Sequence, residues 1–430
     1  MVRLLLVVVP LAVLAGCRTE NPDYCKNFPG TNGCPGDASN GGTCSINTDC
    51  TTAGFLVCDT HLNGGTCVQC TDGVHDCQGA LCIQDKCQPC TQHSQCPSHA
   101  CLGNGTCADA GQVAYVRPTG SGTACTDGAP CKTVNDGINA KSIVKVEGAI
   151  TDMMSTTIDG KAVTILADPG STLTRSMGGV ILEVKNDGAD VSVYDLEIAM
   201  GTGAKTDPAV SLSVNGNPKL TLTRVKIDNN AGIGILAAAG ILTVTQSTIS
   251  ENVGGGIFIF GGSFDITNSF IVTNGGPGND PMTGNPTFGG VLFNSPITAS
   301  TRRFEFNTVS NNGSNSVTGV FCGANMAAAT FANNIVYANQ SGAGHFQIGG
   351  TGALNCAWRY SDIGGLTPLT MGNMDMDPMF VDATKDKFHL MPGSPVKDKA
   401  EPAATITVDF DGDPRPAGKA DIGADELPSP

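Results

Sequence analysis

The sequence predicts an all-β chain in two parts, a small disulfide-rich domain followed by a solenoid of stacked, strand-bearing coils. Three observations lead there. Fourteen of the 19 cysteines lie between Cys25 and Cys107. Only 5% of the residues are aromatic while 56 are glycine, too little bulk for one large conventional core. Five segments of the later chain repeat one pattern of short apolar runs ending in asparagine.

The chain opens MVRLLLVVVPLAVLAGC, with basic Arg3 ahead of an apolar stretch, Leu4 to Leu14, that is too short for a membrane span. The sequence LAGC, ending at Cys17, resembles a bacterial lipobox. That resemblance implies a signal peptide over 1–16, lipid on Cys17 and a lipid-anchored linker over 17–24. An ordinary secretory signal with an unmodified cysteine is the plainer alternative. Arg18 stands where an aspartate would favour retention at the inner membrane, so the resemblance places the protein in the cell envelope as an outer-membrane lipoprotein, on its surface or periplasmic face.

Export decides how the cysteines are read. Without Cys17, 18 remain, an even number suited to an oxidising compartment. Between residues 25 and 111 they repeat in fours: Cys44, Cys50, Cys58, Cys67; then Cys70, Cys77, Cys82, Cys87; then Cys90, Cys96, Cys101, Cys107. Cys25 and Cys34 are left as a separate candidate pair. Seven disulfides would stand in for a core that the intervening Gly, Asn, Asp, Thr and Gln cannot build. Zinc is the rival reading, because Cys67/Cys70 and Cys87/Cys90 have finger-like spacing and His75, His93 and His99 lie nearby. Spacing does not give the connectivity. These repeats resemble Cys-rich segments near the N-terminus of exported bacterial lipoproteins, a resemblance that brings no activity with it.

At 112–140 the texture changes. YVRPTG reads as a strand and turn, Cys125 and Cys131 can staple the next loop, and Val134 and Ile138 have the spacing of a short amphipathic helix. Strand, loop and helix in this order resemble the N-terminal cap of right-handed parallel β-helix proteins, in which the helix covers the first open coil.

The five repeats align on Asn230, Asn252, Asn274, Asn312 and Asn339. Three residues upstream of these stand Ile227, Ile249, Ile271, Val309 and Val336; eight upstream stand Leu222, Val244, Ile266, Phe304 and Phe331. A period in the low twenties with two or three strands is the size of one β-helix coil, so 112–365 resembles a right-handed parallel β-helix. The asparagines are expected to form a stacked structural ladder at a tight turn. The wording of 366–430, DPMFVD…FHLMPGSPVKDKA and DGDPRP…ADIGADE, resembles the tail that follows many bacterial β-helices. It implies a C-terminal cap in which Phe380, Phe388, Leu390 and Val396 plug the last coil.

That fold is shared with pectate lyases and polygalacturonases, which work with a basic residue and Ca²⁺ or with clustered aspartates. Neither constellation is legible here. The best catalytic candidate is Asp265, Arg303 and Glu305, which the alignment puts on one outer face; a surface ion pair between coils is the competing account. The insertion over 275–290 offers Asp280 and Asn285 to a ligand, or is a tolerated loop without a role. Asp409, Asp411 and Asp413 alternate as Ca²⁺ ligands would, or form a plain acidic turn. His345 and His389 stand isolated. Cys322 and Cys356 are placed for a disulfide between coils, with Trp358 packed beside it or stacked on a sugar.

The formal charge of −15 excludes an electrostatic nucleic-acid footprint. Two functions stay open: non-catalytic binding or adhesion to a glycan or surface protein by a lipid-anchored monomer, and a polysaccharide lyase or glycoside hydrolase acting on an acidic polysaccharide. The missing carboxylate cluster favours binding.

Overall fold

The computed structural model describes residues 43–428 apart from 52–54, 56, 62–64, 72–76, 78, 277–287, 297–300, 316, 342–345 and 386. The signal segment, Cys17, Cys25, Cys34, Asp280 and Asn285 therefore lie outside the described residues. The chain divides into two compact units, 1–109 and 110–430, two residues earlier than the expected boundary.

In the first unit each group of four cysteines pairs first with third and second with fourth. The bonds are Cys44–Cys58 and Cys50–Cys67, Cys70–Cys82 and Cys77–Cys87, and Cys90–Cys101 and Cys96–Cys107. Two-stranded hairpins juxtapose the last two cysteines of the first two groups, Cys58 with Cys67 and Cys82 with Cys87. The finger-like pairs thus belong to different groups, and their sulfurs are spent in disulfides, so the zinc reading falls. His93 accepts the backbone N–H of Cys101 through Nδ1.

The second unit is a parallel β-helix. Three parallel sheets of nine, eight and ten strands run its length, and each coil contributes one strand to each. One coil runs Lys219–Thr223, Lys226–Asp228 and Ile233–Ala237 before Ile241–Thr245 begins the next. Inward and outward residues alternate: in Lys219–Thr223, Leu220 and Leu222 are buried while Lys219 is exposed. The expected columns are real neighbours, Ile227 beside Ile249, Ile271, Val309 and Val336 in turn. One continuous core extends from Ala114 to Ile363. No coil could bury its few aliphatic side chains alone; each gains about 1.5–3 kcal/mol per buried Leu, Ile or Val only once neighbours cover it.

The helix is Val134–Ala140, capped by Thr133, whose hydroxyl accepts the Asp136 N–H at 3.1 Å. Val134 and Ile138 enter the core beside Val116 and Val144. Cys125–Cys131 staples the preceding loop, and Cys322–Cys356 joins neighbouring coils. The scarce aromatics concentrate in the last coils, where Phe264 stacks on Phe293 at 4.7 Å and Trp358 meets Phe331 edge-on at 5.3 Å. Trp358 is 8% exposed, so it is a packing residue.

The asparagines form a buried column. Asn230 Nδ2 donates to Asn252 Oδ1 (2.8 Å), Asn252 to Asn274 (2.9 Å), Asn274 to Asn312 (3.0 Å) and Asn312 to Asn339 (2.8 Å). From Asn252 onward each rung's backbone N–H also donates to the Oδ1 of the next. Every rung follows a residue at positive φ, namely Asn229, Glu251, Thr273, Asn311 and Ala338. A left-handed residue turns the corner and aims the following amide inward. Gly201 holds the equivalent place one coil earlier and donates its N–H to Asn230 Oδ1.

A second polar column stands five residues before the first: Ser247, Ser269, Asn307, Asn334 and Ser361. Each of the first four donates its backbone N–H to the next side chain. The same alignment carries this column, because a Ser or Asn recurs at that offset in four of the five repeats.

Candidate functional site: a groove under the C-terminal tail

Residues 371–374 close the last coil, where the Met374 N–H donates to the Ser361 carbonyl and Asn373 bonds the Ser361 N–H and the Trp358 carbonyl, but the expected plug residues lie elsewhere. Leu390 and Val396 cluster with Phe306 and Ile335, and Phe388 clusters with Phe270, Val272 and Ala424, all apart from the solenoid core. The tail lies along the outer face of the nine-stranded sheet. The reason is written in that face: its outward columns run Lys226, Thr248, Phe270, Thr308, Ile335 and Asp228, Ser250, Val272, Ser310, Tyr337, polar until the apolar pair Phe270 and Val272. The strand Phe270–Val272 is buried at all three positions, so its outer side needed a cover. Three apolar residues in a row, in a strand otherwise expected to alternate, were the available signal.

Corner residues hold the cover down. Gln246 donates to the Asp409 and Phe410 carbonyls, Asn268 donates to the Val408 carbonyl, and Asn333 Oδ1 accepts the Glu401 N–H. Arg415 is buried within the tail, bonded to Glu426 (3.0 Å), Asn268 (3.2 Å) and four carbonyls, with its guanidinium 4.3 Å from the Phe306 ring centre. Gly423, at φ +101°, lies so close to Ile335 that a Cβ would come within 2.5 Å of its Cδ1, which explains the glycine of DIGADE.

Where cover and sheet part, they leave a groove of about 280 Å³. Phe270, Val272, Phe388 and Phe410 form its apolar floor; Lys226, Asp228, Thr248, Ser250, Glu251 and His389 supply the polar groups. Lys226 Nζ bonds Asp228 Oδ2 (2.6 Å) and Glu197 Oε1 (3.0 Å). Burial disfavours the Lys226 ammonium, but these carboxylates outweigh it and raise its pKa. Burial raises the Asp228 carboxyl despite the lysine beside it. The residues of this assembly are separated by up to 184 positions, from Lys226 to Phe410, so only the apolar run at 270–272 marks it in the sequence.

The sequence-derived catalytic candidates are arranged differently. Arg303 opposes Asp265 on adjacent strands and grips it with two bonds, Nε to Oδ1 at 2.7 Å and a terminal nitrogen to Oδ2 at 2.8 Å. That carboxylate raises the guanidinium above its ordinary value, which keeps it charged and unable to take up a proton. Glu305 accepts from Asn333 Nδ2 at 2.9 Å, and burial raises its pKa. This is the geometry of an ion pair between coils.

Of the two readings of DFDGD, the segment has the geometry of an acidic turn. Asp409 Oδ1 accepts the N–H groups of Asp411 and Asp413, and its Oδ2 accepts that of Glu426, so Asp409 is spent on backbone. The three aspartates do not converge as a ligand set. Instead Asp411 meets His389, which is not isolated: Nε2 to Oδ2 is 2.9 Å. His345 lies outside the described residues.

No family model matches the chain, and no curated protein does. Among solved structures, the chain is similar to the crystal structure of pectate lyase Pel9A, at 13% identity over 74% of this chain and 96% of that one, with a TM-score of 0.40. The parallel β-helix stands on the three sheets and their register.

Proposed function

We propose that this is a lipid-anchored cell-envelope protein whose β-helix binds a saccharide, without cleaving it, in the groove under its tail. The observation that carries this reading is the groove itself, where the part-exposed ring of Phe410 stands beside buried Phe270 and Phe388 and is edged by carboxylates, hydroxyls and a lysine. Sugar rings pack their C–H faces on aromatic rings while their hydroxyls bond such groups. Non-catalysis is supported by the two best-placed cations, Lys226 and Arg303, each of which is bonded to carboxylate and held charged. Their commitment to carboxylates speaks against either acting as the base of a lyase. Lipid on Cys17 would fix the protein to the membrane, and a monomer suffices for the groove.

A glycan array probed with the full chain tests the reading. Binding to a defined saccharide, weakened at least tenfold by Phe410→Ala, is the expected result. Absence of binding across the array, or binding indifferent to Phe410→Ala, would overturn it. Unsaturated products from polygalacturonate or another acidic glycan, measured by ultraviolet absorbance, would establish the lyase alternative.

A further inference from the structure

We infer that His389, Asp411 and Asp425 form a binding site for a divalent transition-metal ion of the zinc class at the rim of the groove. One ligand atom from each of the three lies within 4.8 Å of the other two. His389 Nε2 and Asp411 Oδ2, 2.9 Å apart, already fit within the roughly 3.3 Å that separates donors around a four-coordinate zinc.

The three side chains are held from behind. His389 comes from the strand Lys387–Leu390, its ring 5.3 Å from that of Phe270 and 6.1 Å from that of Phe410. Asp425 is oriented by the Leu390 N–H, which donates to its Oδ2 at 2.7 Å. Asp409 bonds the N–H groups of Asp411 and Glu426, bracing both ligand-bearing segments. Such outer bonds fix the direction of ligands in metal centres.

The same groove holds a buried carboxylate oxygen without a partner. Asp228 is 7% exposed, lines the groove that His389 lines, and has a buried Oδ1 with no hydrogen-bond partner. Lys226 satisfies only its other oxygen and is shared with Glu197. An ion on His389, Asp411 and Asp425 would place positive charge at a groove rich in carboxylates. An imidazole among the donors favours zinc-like ions over Ca²⁺ or Mg²⁺, which prefer all-oxygen shells.

The test is calorimetric titration of the full-length, oxidised protein with ZnCl₂ alone, so it is independent of whether any saccharide binds. The wild type is expected to take up one equivalent that His389→Ala and Asp411→Asn lose or bind at least tenfold more weakly. Co²⁺ in its place should give visible d–d absorption that both variants abolish. Both residues have half-exposed side chains, and unchanged melting curves would show that the variants fold. Equal Zn²⁺ uptake by wild type and both variants, or none by the wild type, would overturn the site.

Discussion

The two units solve one problem, too little bulk for a conventional core, in opposite ways. Residues 44–107 are held by six crosslinks, and a local cluster there consists of Cys44, Cys50 and Cys67 with Phe55 and Cys58 around them. Residues 114–363 instead share one core along the stack and carry only two disulfides. Covalent bonds compensate where each module is too small for a core; stacking compensates where coils share one. Reduction should therefore separate the units. Each lost disulfide costs about 2–5 kcal/mol, more than a coreless module can supply. After treatment with a thiol reductant, hydrogen exchange should show protection abolished across 44–107 and retained in the strands of 142–363. Loss of protection in both at once would show that the solenoid leans on its disulfides too.

Within the solenoid unit, the tail adds a third device, a buried charge that clamps irregular chain to a sheet. Arg415 is 6% exposed, and its partner Glu426 5%. Arg415→Met should cost about 3–5 kcal/mol, because it leaves Glu426 buried without its cation. Exchange should accelerate over 405–427 and at Phe270 while the ladder amides stay protected. A uniform loss across all coils would mean instead that the tail is integral to the stack.

These regions also differ in what their residues disclose. The coils were legible because a repeat places the same residue type at the same offset, so Ile227 and Asn230 announce their columns without any knowledge of contacts. The cysteine units announce themselves too, yet their pairing depends on which hairpin forms. The tail does not disclose its place. Its plug-like residues, Phe388, Leu390 and Val396, are truly apolar, but whether they meet the end or the side of the stack is decided by Phe270 and Val272, over a hundred positions away. For the same reason His389 looked isolated: its partners Asp411 and Asp425 arrive through the fold of the tail.

The ladder itself can be broken at a chosen rung. Asn274→Ala strips the acceptor from the side-chain and backbone N–H of Asn252, and the donors from Asn312 Oδ1 and the Ile249 carbonyl. Each buried polar group left unsatisfied costs about 1–3 kcal/mol, though relaxation and water can relieve some of them. Asn230→Ala, at the end of the column, disrupts bonds to one asparagine rather than two and should cost less. Urea denaturation of both variants measures the difference. Equal costs would show that the rungs act singly, as turn residues, and that stacking adds nothing.

The smallest effect expected is a gain. Ala338 is the left-handed residue before the last rung, at φ +56°, and its side chain is exposed. An L-residue with a Cβ is strained there by about 1 kcal/mol, and alanine has no polar group with which to bond locally and ease it. Ala338→Gly removes that strain, while the greater freedom of glycine in the unfolded chain gives part of the benefit back. The net should be a stabilisation of several tenths to about 1 kcal/mol, read as a shift of the urea midpoint with unchanged slope. The same change at Asn311 should gain less, because asparagine tolerates this conformation and Asn311 also donates to the Ala383 carbonyl at 3.0 Å. If the alanine variant is destabilised instead, the corner is set by the ladder's inward pull rather than by its own backbone preference, and the rungs rather than the turns determine where each coil bends.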